Sequence, residues 1–259
     1  MGVKGLQSYV QNRLPLTDYI VELASLRAGA ANAVVVDGMA LIRKLYEQSR
    51  RLWKSSRPEL RPTRRPARRD SARSSSGQLR PLPVGNYSQR PASFPHRSLD
   101  WVGGGQFLEL WCNVRDFVGA FRGAGLRLIV FFDGGVDDAK LDEWLKRRRD
   151  ELGKCRRAAE AIERGEVPGR PLWSPPLHIS RWVGGAFADN GCAVFYTAGE
   201  ADREMAQYCR DTPSCGALLG KDSDFFVLPV ARYLPLDSLD LRASVPRVTV
   251  YRRADVLDA

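Results

Sequence analysis

The sequence predicts an α/β fold in which a mainly parallel central sheet is flanked by helices. The runs Asn32-Ala-Val-Val-Val-Asp37-Gly38 and Leu126-Arg-Leu-Ile-Val-Phe-Phe-Asp133-Gly134 read as strands buried on both faces, and each is followed by a stretch of helical period. Two further short strands, Cys192 to Tyr196 and Ala217 to Leu219, each lead into a pair of carboxylates, Glu200/Asp202 and Asp222/Asp224. Strands that alternate with helices imply parallel crossovers, and at 259 residues and 44% apolar content the chain can bury a sizeable core.

In chain order, Met1 to Asn12 places Val3, Leu6 and Val10 on one side of a short helix, and Leu16 to Leu26 reads as a second. The strand ending at Asp37 feeds a helix from Met39 to Arg50. In open parallel sheets the carboxyl ends of the strands are where sites collect, and Asp37 stands there. Residues 51–99 are rich in Arg, Pro and Ser and poor in apolar periodicity, which predicts a disordered basic insertion. The domain expectation is therefore 1–50 and 100–259 as two parts of one folded unit, separated by that insertion.

Order resumes with Phe107, Leu110, Trp111, Val114, Phe117, Val118 and Phe121, a three/four spacing that makes a core helix. Gly123 to Gly125 stop it before the strand that ends at Asp133. Val136 to Arg164 is long, helical and densely charged, with Lys140, Lys146, Arg147, Arg148 and Arg149 among its cations. Interspersed acids fit a solvated face; the alternative is a cationic wall able to hold a phosphodiester. A turn from Pro168 to Pro176 leads to a helix over 177–190 and then to the strand before Glu200. Glu200 and Asp202 open a helix whose buried stripe is Ala201, Met205 and Tyr208, with Thr197 and Glu200 spaced as a capping box. Tyr233 to Leu241 and Val248 to Tyr251 are weaker apolar segments.

Composition narrows the chemistry. Net charge is +10, yet Arg50 to Leu99 alone carries twelve Arg and one Lys against Glu59 and Asp70, leaving the rest with 27 basic and 28 acidic residues. The basicity belongs to one segment, which reads either as a tether for nucleic acid or a nuclear localisation patch, or as a solvated loop. No apolar run approaches the roughly 18 residues of a membrane span, and Leu6 stands where a myristoylation motif has Ser or Thr. A soluble intracellular protein without a membrane partner is expected. Five cysteines without CxxC spacing and two histidines predict neither a disulfide framework nor a zinc site nor a nucleophilic triad.

The chemistry then falls to Asp37, Asp133, Glu200, Asp202, Asp222 and Asp224. Each pair alone has an ordinary explanation as a helix start or an Asp-Ser-Asp turn. Six carboxylates at one sheet edge repel one another unless hard cations such as Mg²⁺ or Mn²⁺ or protonation relieve the charge. Two-metal phosphodiester hydrolysis, with cations about 3.5–4 Å apart, uses such a set.

MGVKGL at the start, VVVDG, VFFDGG, GEADREM and KDSDFFV resemble, in order, the nuclease regions of the flap endonuclease/XPG superfamily, whose core is PIN-like. Within it, GGGQF, RDFVGAF, VFFDGGVDDAKLDEWLKRRR and the PGR turn are similar to the constitutive coactivator of PPAR-gamma family, with the asteroid proteins as relatives. The resemblance covers nearly all of the chain except 51–99. It implies that the six acids hold Mg²⁺ or Mn²⁺, two ions in all, and that Gly2 lies near the substrate. It also implies that Lys140 and Arg147 steer phosphate and stabilise developing charge. The substrate expected is DNA, single-stranded or flapped, or RNA, and the location nuclear. The family name implies another role, a scaffold that meets a nuclear receptor as a transcriptional coactivator. Two departures stand out: Asp202 is shorter than the second Glu of the flap endonuclease Glu-x-Glu, and the helix-two-turn-helix region of the active nucleases is expected to be absent before Ala259.

Overall fold

The computed structural model describes residues 5–14, 20–27, 29, 31–53, 99, 106–136, 138–166, 168–176 and 178–257. Gly2 and nearly all of the 51–99 insertion lie outside the described residues.

A six-stranded sheet forms the centre, in the order β4 (Ala193–Tyr196), β3 (Arg127–Phe132), β2 (Ala33–Asp37), β5 (Cys215–Gly220), β6 (Arg232–Pro235) and β8 (Tyr251–Arg252). The first five are parallel and β8 closes one edge antiparallel to β6. From β2 the chain steps outward to β3 and β4, then crosses back to place β5 on the other side of β2. That reversal leaves a crevice at the carboxyl ends of β2, β3 and β5, where a site is expected in such sheets.

Alternation along each strand divides the core in two. Val34, Val36, Leu128, Val130, Phe132 and Leu219 face one way, with α2 (Gly38–Trp53), α3 (Phe107–Gly123) and α5 (Ile179–Asp189) supplying Leu41, Leu45, Phe117 and Phe187. Ala33, Val35, Ile129, Phe131 and Leu218 face the other, against Val10 of α1 (Leu6–Arg13) and Ala201 and Met205 of α6 (Ala201–Asp211). The result is a three-layer helix–sheet–helix body. Its strands read as unbroken apolar runs because both faces are covered.

Several boundaries differ from the sequence expectation. In the stretch expected as a helix over 16–26, residues 20–26 instead form β1 (Ile20–Glu22) and a 3-10 turn, with β1 pairing antiparallel to β7 (Arg247–Thr249). β-branched Ile20 and Val21 suit that pairing, and the partner lies more than 220 residues along the chain, beyond the reach of local periodicity. The long charged helix starts later than expected, as a 3-10 turn at Asp138–Lys140 followed by α4 (Leu141–Glu163). The helix after Asp37 runs three residues past Arg50. Thr197 does not cap α6. Its hydroxyl donates to the Gly199 carbonyl at 2.6 Å, and Glu200, at the N-cap, makes no side-chain cap bond.

The Asp-Gly pairs have a steric reason. A Cβ at Gly38 would stand 2.5 Å from the Phe132 ring and 2.7 Å from the Phe131 carbonyl oxygen. One at Gly134 would collide with the Thr197 carbonyl oxygen, because the backbone N–H groups of Gly134 and Gly135 donate to the carbonyls of Gly199 and Ala198. The loop after β3 is thereby laced to the loop before α6.

Candidate metal centre and its cationic groove

Each strand end delivers a carboxylate to the crevice by the same local device. Asp37 ends β2, and its Oδ1 accepts the Ala40 N–H of α2 at 2.9 Å. Asp133 follows β3, and its Oδ1 accepts the Ala201 N–H at 2.8 Å, capping α6 from across the sheet. Asp222 follows β5 and caps a 3-10 turn by accepting the Asp224 N–H at 3.1 Å. Asp202 sits in the first turn of α6, next to Glu200 at its N-cap. The ordinary reading of Asp-Ser-Asp as a turn fits Asp222, while Asp37 and Asp133, for which no cap was expected, also accept helix N–H groups, and these bonds position all three.

Capping lowers a carboxyl pKa, so the direction of the net shift tells which effect wins. Burial lifts Asp37 from 3.8 to about 6 against the hydrogen bonds from α2, with the charges of Asp133 and Asp222 adding to the rise. Asp202 is raised further, to about 7, by burial and then by Asp37, Asp222, Asp133 and Glu200. Asp133 keeps open surface toward solvent, yet its carboxyl is desolvated enough to be raised, with Glu200 pushing up and Lys140 pulling down. Tyr233 of β6 is raised as well, by burial and by Asp222 and Asp37, which locates its ring under the same edge. Its hydroxyl donates to the Gly220 carbonyl at 3.2 Å.

Five of the six predicted acids are thus brought within electrostatic reach of one another: Asp37, Asp133, Glu200, Asp202 and Asp222. Asp224 lies two residues further along, half-buried, with its N–H held by Asp222. Among the described residues no three of these side chains are drawn together closely enough to form a ready metal cage. The donor chemistry nonetheless fits a hard divalent cation, being all carboxylate oxygen, mutually repelling and partly desolvated.

Beside the acids runs a groove of about 390 Å³ lined by Asp133, Glu200, Lys140, Trp144, Arg147 and Arg148, among others. Lys140 reaches Glu200 at 2.5 Å, and Arg147 is held by Glu143, one turn back on α4, at 2.5 Å. Both predicted cations therefore border the groove, each already paired with a carboxylate. Trp144, Met39, Ser180 and Tyr233 were not singled out from the sequence. For Trp144 the signal was present: Lys140, Trp144, Arg147 and Glu151 recur at three- or four-residue steps along α4, which puts them on one face. For Tyr233 there was none, since only the β5–β6 pairing brings it to the acids.

No family model matches the chain. It is 35% identical over 144 residues to the constitutive coactivator of peroxisome proliferator-activated receptor gamma from Mus musculus, covering 55% of this chain and 18% of that protein. The Homo sapiens protein of the same name is 34% identical over 144 residues, covering 55% of this chain and 16% of its own length. The constitutive coactivator of PPAR-gamma-like protein 1 from Mus musculus is 26% identical over 175 residues, covering 61% and 16%. These coactivators and their like-proteins are homologues of the chain. The chain spans less than a fifth of the length of these relatives. Among solved structures, the catalytic core of Rad2 in complex with DNA substrate matches with a TM-score of 0.50 at 13% identity, over 99% of this chain and 57% of that one. At that identity the match speaks for the fold alone, a mostly parallel sheet with flanking helices.

Proposed function

We propose that this chain carries a divalent-cation-dependent phosphodiesterase centre acting on single-stranded or flapped DNA, or on RNA. The observation that supports it most is the convergence of Asp37, Asp133, Asp202 and Asp222 at the crevice, where burial first and then the neighbouring carboxylates raise the Asp202 carboxyl to about 7. A purely structural set of caps gains nothing from such crowding, whereas Mg²⁺ or Mn²⁺ relieves it. Asp37, Asp133, Glu200, Asp202, Asp222 and Asp224 are the residues that would hold the cations. Bound there, a pair of such ions supplies Lewis acidity and an acidified water for in-line displacement at phosphorus.

The rest of the work falls to the chain itself. Lys140, paired to Glu200, can exchange that carboxylate for a phosphate oxygen, and Arg147 can do the same from Glu143. Exposed pairs of this kind are worth at most about 1 kcal/mol, so the exchange costs little. Both cations then lie along the groove where negative charge accumulates during displacement. Gly2 enters the proposal through the sequence resemblance alone.

Calorimetry with Mg²⁺ and Mn²⁺, run beside cleavage of labelled flap and single-stranded substrates, tests this reading. The intact chain should take up metal and cleave. The double variant Asp222→Asn with Asp224→Asn should lose both. Metal uptake without cleavage would leave a binding centre lacking a substrate platform, and no uptake would end the metal reading.

A second reading is supported by the names of the relatives. There the nuclease-type fold is a scaffold for a nuclear receptor or another transcriptional partner in the nucleus, and the carboxylates do no chemistry. It predicts that the double variant retains partner binding in full.

A further inference from the structure

A second cavity of about 630 Å³ opens next to the carboxylate groove, between α2, α4 and the segment 173–180. Met39, Trp144, Arg148, Glu151 and Ser180 line both, so the cavity is a side chamber of the groove. Its size falls within the range of small-molecule pockets. Its walls combine flat π surface with positive charge. The Arg148 guanidinium lies over the Trp144 ring at 5.1 Å, and that of Arg43 lies over the Trp173 ring at 5.6 Å. Lys221 adds a third cation, and among the described residues of the lining Glu151 is the only carboxylate. Trp173 is packed against Tyr46 with 6.0 Å between ring centroids and is 9% exposed, whereas Trp144 is 36% exposed. Trp173 therefore builds the back wall, and Trp144 offers a platform at the mouth.

We infer that this chamber is a stacking site for one unpaired nucleobase, in a strand whose neighbouring phosphodiester lies in the carboxylate groove. The inference rests on the nucleic-acid reading above and adds to it a specific subsite. A metal ion is a poor occupant, since one carboxylate offers too few hard donors. A purely apolar ligand would use none of the charge on the lining, where Arg148 is paired to Glu151 at 2.6 Å and Lys221 to Asp237 at 3.2 Å, exposed pairs whose carboxylate a phosphate can replace at little cost. A nucleotide matches both features: its base stacks on an indole or on the guanidinium covering it, and its phosphate meets Arg43 or Lys221. The base must be unpaired, because stacking in a side chamber removes it from a duplex. The shared walls supply the continuity, for a strand passing Lys140 and Asp133 meets Trp144 and Arg148 next.

The test uses the full chain in EDTA, so that binding is read without turnover. Fluorescence anisotropy with a labelled single-stranded oligonucleotide, its blunt duplex, and a series of strands each carrying one abasic position reports affinity. Tryptophan quenching reports contact. Trp144→Ala should weaken single-strand binding by about 5- to 50-fold and leave the duplex unchanged. In the wild type one abasic position should cost a similar factor, and in Trp144→Ala that position should cost nothing more. Trp144→Phe should restore most of the affinity. Circular dichroism confirms that each variant is folded.

Equal affinities and equal abasic profiles for wild type and Trp144→Ala would overturn the inference, even if the wild type cleaves DNA when Mg²⁺ is added. Conversely, a Trp144-dependent abasic signature in a chain that takes up no metal would sustain it and remove the hydrolytic reading. Quenching by a decaproline peptide but not by single strands would reassign the chamber to protein recognition and also overturn it.

Discussion

At the scale of single residues, the acids at the crevice are held in conflict between good local hydrogen bonding and poor long-range electrostatics. Asp37 and Asp202 have folded values of about 6 and about 7, above the ordinary 3.8. Between about pH 4 and pH 7 the folded chain retains protons that the unfolded chain has released. Their contribution to metal-free stability is thus present in full below pH 4 and is lost as pH rises through 6 and 7. For Asp37 the shift corresponds to about 3 kcal/mol between the two extremes. Asp202→Asn removes one charge without changing shape. In EDTA it should raise the Tm relative to wild type at pH 8, and by much less near pH 4.5. Saturating Mg²⁺ at pH 8 should raise the wild-type Tm and move the variant less. Thermal melts at the two pH values decide this, and a variant that melts lower at pH 8 would mean that the repulsion is already relieved within the chain.

Elements set what those residues can reach. The two Asp-Gly steps let strand ends pass against neighbouring backbone, and the sharper constraint is at Gly134, where any Cβ meets the Thr197 carbonyl. Gly134→Ala should cost about 3 kcal/mol, from overpacking that only backbone movement can relieve. A large drop in Tm, together with loss of the Asp133–Ala201 cap, is the expected result; an unchanged melt would mean that the loop moves freely. Helix α4 makes the opposite case. Arg147 and Glu143 form an exposed i,i+4 pair, worth only about 0.3–0.5 kcal/mol. Arg147→Ala should leave the Tm almost unmoved while weakening nucleic-acid binding several-fold, with a smaller salt dependence. Unchanged affinity would return Arg147 to the role of a solvated helix face, the plainer reading of its charged surroundings.

For the molecule as a whole, the folded body is close to neutral and the excess positive charge sits in one segment. Deleting 54–98 should therefore reduce the slope of log affinity against log salt for any nucleic acid bound. If the groove along α4 is the main contact, measurable binding should remain after the deletion. Titrations at three salt concentrations, with and without the segment, separate the two contributions. Complete loss of binding would assign recognition to the segment and leave the body without a nucleic-acid role.

Much of the architecture was legible from short-range pattern. Unbroken apolar strands ending in Asp37 and Asp133, the three/four stripe of α3, and the acidic pairs beside the later strands all follow from spacing that neighbouring residues enforce on one another. The sequence by itself determined which residue types stand at the strand ends, and hence that any chemistry there belongs to carboxylates. Tertiary structure decided the rest, because strand order and cross-sheet approach are not local properties. It turned residues 20–26 from an expected helix into a strand and a 3-10 turn by offering Arg247–Thr249 as a partner. Likewise it made Asp133, not Thr197, the cap of α6, and carried Tyr233 under the acids. Desolvation at the crevice, which turns separate caps into one coupled set, arises only when β2, β3 and β5 lie side by side and exclude water between them.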